Sequence, residues 1–217
     1  MSNYILKYSR DDRVKYISHL DFVRMFHRTI RRTDINFVFS QGFNPHPVMT
    51  VAQPLSVGVT SDCEYMKVGF DGEYSENELL EKINNAFPPG YKILAAKKVS
   101  GKEIDLTKLD RAVYTVELEY EGNVDIDGFL SNKELVVMKK TKSGEKESDI
   151  RPYIYELEKI SENNGILVLK MCIAVGSSYN LKPQSVIDAM EKYMGNFKSG
   201  FMNVHRNKMM WGDVEYL

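Results

Sequence analysis

Apolar and polar residues alternate from the first stretch of the chain. In NYILKY, Tyr4, Leu6 and Tyr8 fall on one side, the period-2 pattern of a strand with one buried face. A shorter run, RVKYI, follows an Asp-Asp turn. SHLDFVRMFHRTIRRT switches to the helical period, and Ser18 with Asp21 three residues on makes a capping-box start. NFVFS, and then VMTVAQPLSVGV running on toward EYMKVGF, return to strand character. SENELLEKINNAF is a second helix, opened by Ser75 and stopped by Pro88-Pro89-Gly90, and YKILAAKKV is a closing strand. The order β-α-β-β-α-β is that of the split βαβ, or ferredoxin-like, unit.

After the connection SGKEIDLTKLD the order repeats more faintly. AVYTVELEY alternates, DIDGFLSN reads as a short helix, and ELVVMKKTKSG and the apolar GILVLKMCIAV read as strands. KPQSVIDAMEKYM is an amphipathic helix with Pro183 near its first turn, and FMNVHRNKMMW is the last strand. DIRPYIYELEKI, within 141–163, fits helix and strand equally. The expected architecture is α+β: two tandem ferredoxin-like units with antiparallel sheets, 1–100 and 111–217.

Composition narrows the class without naming a task. Of 217 residues 43% are hydrophobic and 27% charged, which is the profile of a folded globular chain. No apolar run nears the roughly 18 residues that cross a bilayer, and the N-terminal stretch lacks a signal-peptide h-region. A cytoplasmic protein with no membrane partner is expected. The two cysteines, Cys63 and Cys172, sit in strand-like segments and read as small core residues. The net charge of −1 hides an asymmetry. Residues 1–60 carry eight Lys/Arg against four Asp/Glu, 61–130 eight against fifteen, and the remainder thirteen against eleven. The first quarter can therefore present a basic face.

Candidate chemistry concentrates in that quarter. At 100° per residue, His19, Leu20, Val23, Phe26, His27 and Ile30 share one arc of the first helix, the expected core stripe. Arg24, Arg28, Arg31 and Arg32 share the adjacent arc. Two readings stand: a solvated face paired with the acidic middle segment, or a ridge that binds phosphate through guanidinium forks. The loop SQGFNPHP, Ser40 to Pro47, places a Gly, two X-Pro steps, an aromatic and two side-chain amides in eight residues. Its prolines fix an extended path. Phe43 either plugs the core or stacks a base, Gln41 and Asn44 offer amide donors and acceptors, and His46 can donate or accept near neutral pH. His19, in the first helical turn with Ser18 and Lys15 close in sequence, either faces the same ligand or is a satisfied core histidine.

No GxSxG, Walker A, GxGxxG or HExxH motif occurs. His19, His27 and His46 lack a Cys/His pattern at zinc spacing, so neither metal nor cofactor is expected. In the second half SSYNLKP and NVHRNK are the best polar candidates, and Asp149 with Arg151 reads as a structural pair.

The run KYISHLDFVRMFHRTIRRTDINFVFSQGFNPHPVMTVAQPLSVGVTSDCEYMKV resembles the radical SAM-linked protein family. The matching positions are Ser18, His19, Asp21, Arg24, Arg32, Ser40, Gln41, Gly42, Phe43, Asn44, Pro45, His46, Gly58 and Glu64, with DIRPYI and Lys182-Pro183 as later landmarks. Members occur as an extension of, or beside, a radical SAM enzyme carrying a B12-type domain. The resemblance implies an accessory or substrate-handling module whose radical SAM partner is a separate chain. Two distant cysteines agree with that, since the radical SAM cluster needs three. Together these features lead us to expect a non-catalytic protein that binds RNA or presents substrate for such an enzyme. Lys15, His19, Arg24, Arg28, Arg32, Gln41, Phe43, Asn44 and His46 would contact the ligand. Two alternatives stand beside it: a metal-independent RNA-processing enzyme using His19 or His46 as acid/base, and a pure protein-docking module.

Overall fold

The computed structural model describes residues 1–99, 105–141 and 144–217. Part of the SGKEIDLTKLD connection, 100–104, lies outside them. The chain is a mixed α+β structure that divides into two compact units, 1–109 with 209–217, and 110–208.

The first unit runs β1 (Ser2–Arg10), α1 (His19–Ile30), β2 (Asn36–Phe37), β3 (Met49–Val51), β4 (Val59–Asp71), α2 (Glu76–Ala86) and β5 (Tyr91–Val99). β1 lies between β5 and β4, antiparallel to both, with Tyr4 opposite Val68 and Leu6 opposite Met66. β2 and β3 pair antiparallel along the later half of β4. The alternation of β1 puts Tyr4, Leu6 and Tyr8 toward the helices, where Phe22, Phe26 and Ile30 of α1 and Leu79 and Ile83 of α2 close a shared core. The Tyr8 and Phe22 rings stack with centroids 4.9 Å apart. Each such side chain withdrawn from water contributes about 1.5–3 kcal/mol. On the other sheet face the segment 209–217 covers the strands. Trp211 meets Tyr65 edge-on at 5.4 Å, Glu215 bonds Lys7 at 2.8 Å, and Lys97 sits over the Tyr216 ring.

Between β1 and α1, Asp12–Val14 form a 3-10 turn capped by Asp11. The buried Arg10 draws in the carbonyls of Val14 at 3.0 Å and Ile17 at 2.8 Å, so this backbone is satisfied without a neighbouring strand. One expectation changes here: Leu20 is not in the core, being 64% exposed. The buried stripe of α1 is Phe22, Phe26, Thr29 and Ile30, which turns Leu20 out beside the arginines.

The second unit runs β6 (Arg111–Glu121), α3 (Ile126–Leu130), β7 (Val136–Thr141), β8 (Gly144–Asp149), β9 (Ile154–Asn163), β10 (Ile166–Ala174), α4 (Pro183–Tyr193) and β11 (Lys198–Met210). Its sheet order is β11-β6-β10-β9, with Leu167 opposite Leu118 and Leu169 opposite Val116. α4 buries Val186, Ile187, Ala189 and Met190. The expectation that ELVVMKKTKSG supplies a strand of this sheet is corrected. Among the described residues β7 pairs only with β8, as a separate two-stranded sheet. The ambiguous segment after it is a 3-10 turn, Arg151–Tyr153, leading into β9. A strand period with polar residues on both faces, as in KKTKSGEKESD, suits a solvated hairpin better than a sheet that α4 must cover.

Candidate ligand-binding surface of the first unit

Ser18 caps α1: its hydroxyl accepts from the Asp21 N–H at 3.2 Å and donates to the Asp21 carboxylate at 2.7 Å. The Ser18 bond, and after it the charges of Arg24 and Arg28, hold the Asp21 carboxyl below the usual carboxylate range. The positive end of the helix dipole is thus already met by a carboxylate of its own first turn. His19, beside it, is half-buried, and burial followed by the charge of Arg10 pushes its pKa down. Lys15 pairs with Asp12 at 2.9 Å.

Around the exposed side of α1, Leu20, Arg24 and Arg31 fall within about 40° of one another and Arg28 about 40° beyond Arg24, at 100° per residue. Arg24 reaches Asp21 at 3.2 Å, with 67% of its side chain still exposed. Among the described residues no carboxylate stands within ion-pair distance of Arg28 or Arg31. The acidic middle segment therefore leaves these two cations to solvent. Arg32 turns elsewhere: its guanidinium donates to the Ala86 carbonyl at 2.6 Å, closing the C-terminal end of α2, and it lines an open concavity with Asp34, Lys82 and Asn85.

The loop after β2 is clasped at its base. Phe39 and Pro47 form an isolated bridge, the Ser40 N–H donates to the His46 carbonyl at 2.9 Å, and the Ser40 hydroxyl lies 3.1 Å from His46 Nδ1. Gly42 takes φ of +130°, where a side chain would strain. Between these fixed ends Gln41, Gly42, Phe43, Asn44 and Pro45 all face solvent. Phe43 is 106% exposed, so it does not plug the core. The base of the loop lies toward the last turn of α1, because His27 Nε2 touches Met49 Sδ at 3.2 Å and His46 adds to the charge lowering the His27 pKa, after burial and Arg31.

The structure thus brings His46 near the last turn of α1, which also carries Arg28, and leaves Arg24, Gln41, Phe43 and Asn44 exposed. It does not join His19 to His46. His19 is eight residues, or about 12 Å of helix axis, from His27, which neighbours the loop. Two participants were missed by sequence reasoning. Arg10 continues the inward alternation of Tyr4, Leu6 and Tyr8, a legible signal. Tyr16, 69% exposed, stands just before the cap of α1, and nothing in local composition marks it. Among the described residues no cluster of three or more His, Cys, Asp or Glu is placed to hold a metal, and no helix is long and apolar enough to cross a membrane.

No curated protein matches the chain. Among solved structures, a chain of a Cbf5-Nop10-Gar1 complex is similar in fold at TM-score 0.54 with 6% identity, covering 95% of this chain and 48% of that one. A chain of an archaeal box H/ACA sRNP Nop10-Cbf5 complex gives TM-score 0.48, 7% identity and coverage of 94% and 46%. The present chain thus spans about half the length of these neighbours, and at such identities the likeness is one of fold. A family model does match, over residues 3–183: the chain belongs to DUF2344, a family described as uncharacterized proteins conserved in bacteria.

Proposed function

We propose that this chain is a non-catalytic accessory protein that binds RNA, or presents an RNA substrate, for a separate radical SAM enzyme in the cytoplasm. The observation that carries the RNA half is the fully exposed Phe43, held out by a clasped loop whose His46 lies near the end of α1 that bears Arg28 and Arg31. An aromatic face stacks any base, and arginine forks bind phosphate oxygens. In this reading Arg24, Arg28 and Arg31 contact phosphates, Phe43 stacks a base, and Gln41 and Asn44 meet its polar edges. Arg32 serves the fold. The radical SAM partner rests on the sequence resemblance of residues 15–68. At a finer level of fold, the strand order β5-β1-β4 with β2 and β3, and the order β11-β6-β10-β9, support two ferredoxin-like units. The second would carry β7 and β8 as an insertion. With 209–217 lying over the first sheet, the helix-and-loop side is the open surface for a ligand.

The test is salt-titrated binding of purified protein to total small RNA from its own cells, comparing wild type with the Arg24→Ala/Arg28→Ala variant. Removing two arginine–phosphate pairs on a single strand should lower the log–log salt slope by about 1.4. An unchanged affinity and slope would end the RNA reading. A second reading, docking of a protein partner, is favoured by Tyr16, Leu20 and Val57, exposed at 69%, 64% and 56%. It requires co-purification of the radical SAM enzyme that survives nuclease and high salt.

A further inference from the structure

The two motifs left over in the second unit, DIRPY and SSYNLKP, come together in space. The Tyr153 and Tyr179 rings stack with centroids 3.5 Å apart and planes 3° from parallel. The Lys139 ammonium stands 4.0 Å from the Tyr179 centroid, and the Tyr179 hydroxyl lies 3.0 Å from that of Ser148. Beside them is a cavity of about 160 Å³, bordered by Lys139 and Ile150, by Asn180 and Lys182, and by Ser185 of the first turn of α4.

Charge around this cavity is one-sided. In the β7–β8 register Val137 faces Ser148 and Lys139 faces Lys146. Directly opposed residues of an antiparallel pair share a sheet face, as do residues two apart. Ser148 meets Tyr179, which borders the cavity, and Lys146 stands opposite Lys139 on the same face of the hairpin. Glu145 and Glu147 alternate to the other face. Asp149 is occupied by the N–H groups of Leu135 at 2.8 Å and Arg151 at 3.0 Å, and Asp188 accepts from Gln184. Among the described residues no carboxylate is within ion-pair distance of Lys139, Lys146 or Lys182. Two like charges directly opposite on a ladder destabilise the pair, and a third cation across the cavity adds to that. An anion among them removes the repulsion.

We propose that this cavity binds a phosphate group, held by Lys139 and Lys182 with the Ser185 hydroxyl and Asn180 amide as further hydrogen-bonding partners. Tyr179 is covered on one side by Tyr153 and approached by Lys139, so its ring is not free to stack a base and recognition falls to the anion itself. The volume suits a phosphate group rather than a whole nucleotide. A free phosphorylated metabolite and a phosphate of a nucleic acid share this chemistry. The site is independent of the ridge and loop of the first unit.

Inorganic phosphate is the first probe, added to the full chain at constant ionic strength against a chloride control, with ³¹P line broadening as readout. Wild type should broaden the line, and Lys139→Gln/Lys182→Gln should weaken binding about tenfold or more, the loss of charge-assisted hydrogen bonds. Ser185→Glu, which puts a carboxylate in the cavity without removing either lysine, should abolish binding while the far-UV spectrum is kept. Equal broadening by wild type and by either variant would overturn the proposal, as would no broadening by wild type. Displacement of phosphate by a nucleoside 5′-monophosphate better than by a short RNA assigns the small-molecule source. The reverse order assigns the nucleic acid.

Discussion

Phe43 and Tyr179 stand in loops of similar make-up, QGFNPHP in the first unit and SSYNLKP in the second, yet their rings have opposite surroundings. Phe43 is wholly exposed, and the clasp of its loop lies at the base, between Ser40 and His46. Tyr179 is stacked on Tyr153, approached by Lys139 and hydrogen-bonded to Ser148. An aromatic ring left in water contributes nothing to folding, so its apolar face is available to a partner. A ring engaged on both faces stabilises the unit and leaves recognition to the charges around it. Similar loop composition thus yields a presented ring in one place and a structural ring in the other.

The contrast breaks most readily at Tyr179. Tyr179→Ala removes the stack, the cation–π contact and one hydrogen bond, and should cost about 3 kcal/mol of stability in urea unfolding. Phe43→Ala should stay within about 0.5 kcal/mol of wild type in the same measurement, while weakening RNA binding about 5- to 150-fold. A stability loss at Phe43 matching that at Tyr179 would erase the distinction.

The arginines of the first helix offer a sharper version of the same comparison. Arg32→Ala forfeits its bond to the Ala86 carbonyl and should lower stability by about 1 kcal/mol, with RNA affinity little changed. Arg28→Ala should do the reverse, leaving stability intact and reducing the salt slope of binding by about 0.7. If both variants behave alike in both assays, the division between fold-serving and ligand-facing arginines fails.

The smallest effect expected is on pH dependence. Burial, then the charges of Arg31 and His46, lowers the His27 pKa below its ordinary value of 6.5. The unfolded chain then takes up the proton first as pH falls, so stability is complete above about 6.5 and declines as pH drops toward the folded value. Burial of His19 acts with the same sign. His27→Gln should flatten part of that decline between pH 7.5 and 5.5 in urea unfolding. An unchanged slope would mean that His27 titrates alike in the folded and unfolded chain.

Local rules carried much of the fold. Ser18 and Ser75 cap the helices they were read to cap, Tyr4, Leu6 and Tyr8 turn to the core together, and Cys63 and Cys172 are both buried. These signals are short-range: a cap joins residues three apart, and an alternating strand declares its buried face by itself. The errors arose where pairing depends on distant chain. ELVVMKKTKSG has the right period but pairs with its own hairpin partner. Leu20 was misplaced because a wheel fixes relative angles, not which arc meets the sheet.

The sequence by itself determined the α+β class, the helix starts, and the concentration of arginine and loop chemistry in the first quarter of the chain. Only the tertiary structure decided what each of those side chains faces. It left Phe43 bare, directed Arg32 to α2 while Arg28 and Arg31 remain in solvent, and set Lys139 of β7 and Lys182 at the start of α4 around one cavity. The physical reason is that exposure and charge pairing are properties of neighbours in space, and those neighbours are set by strand register and helix packing across tens of residues.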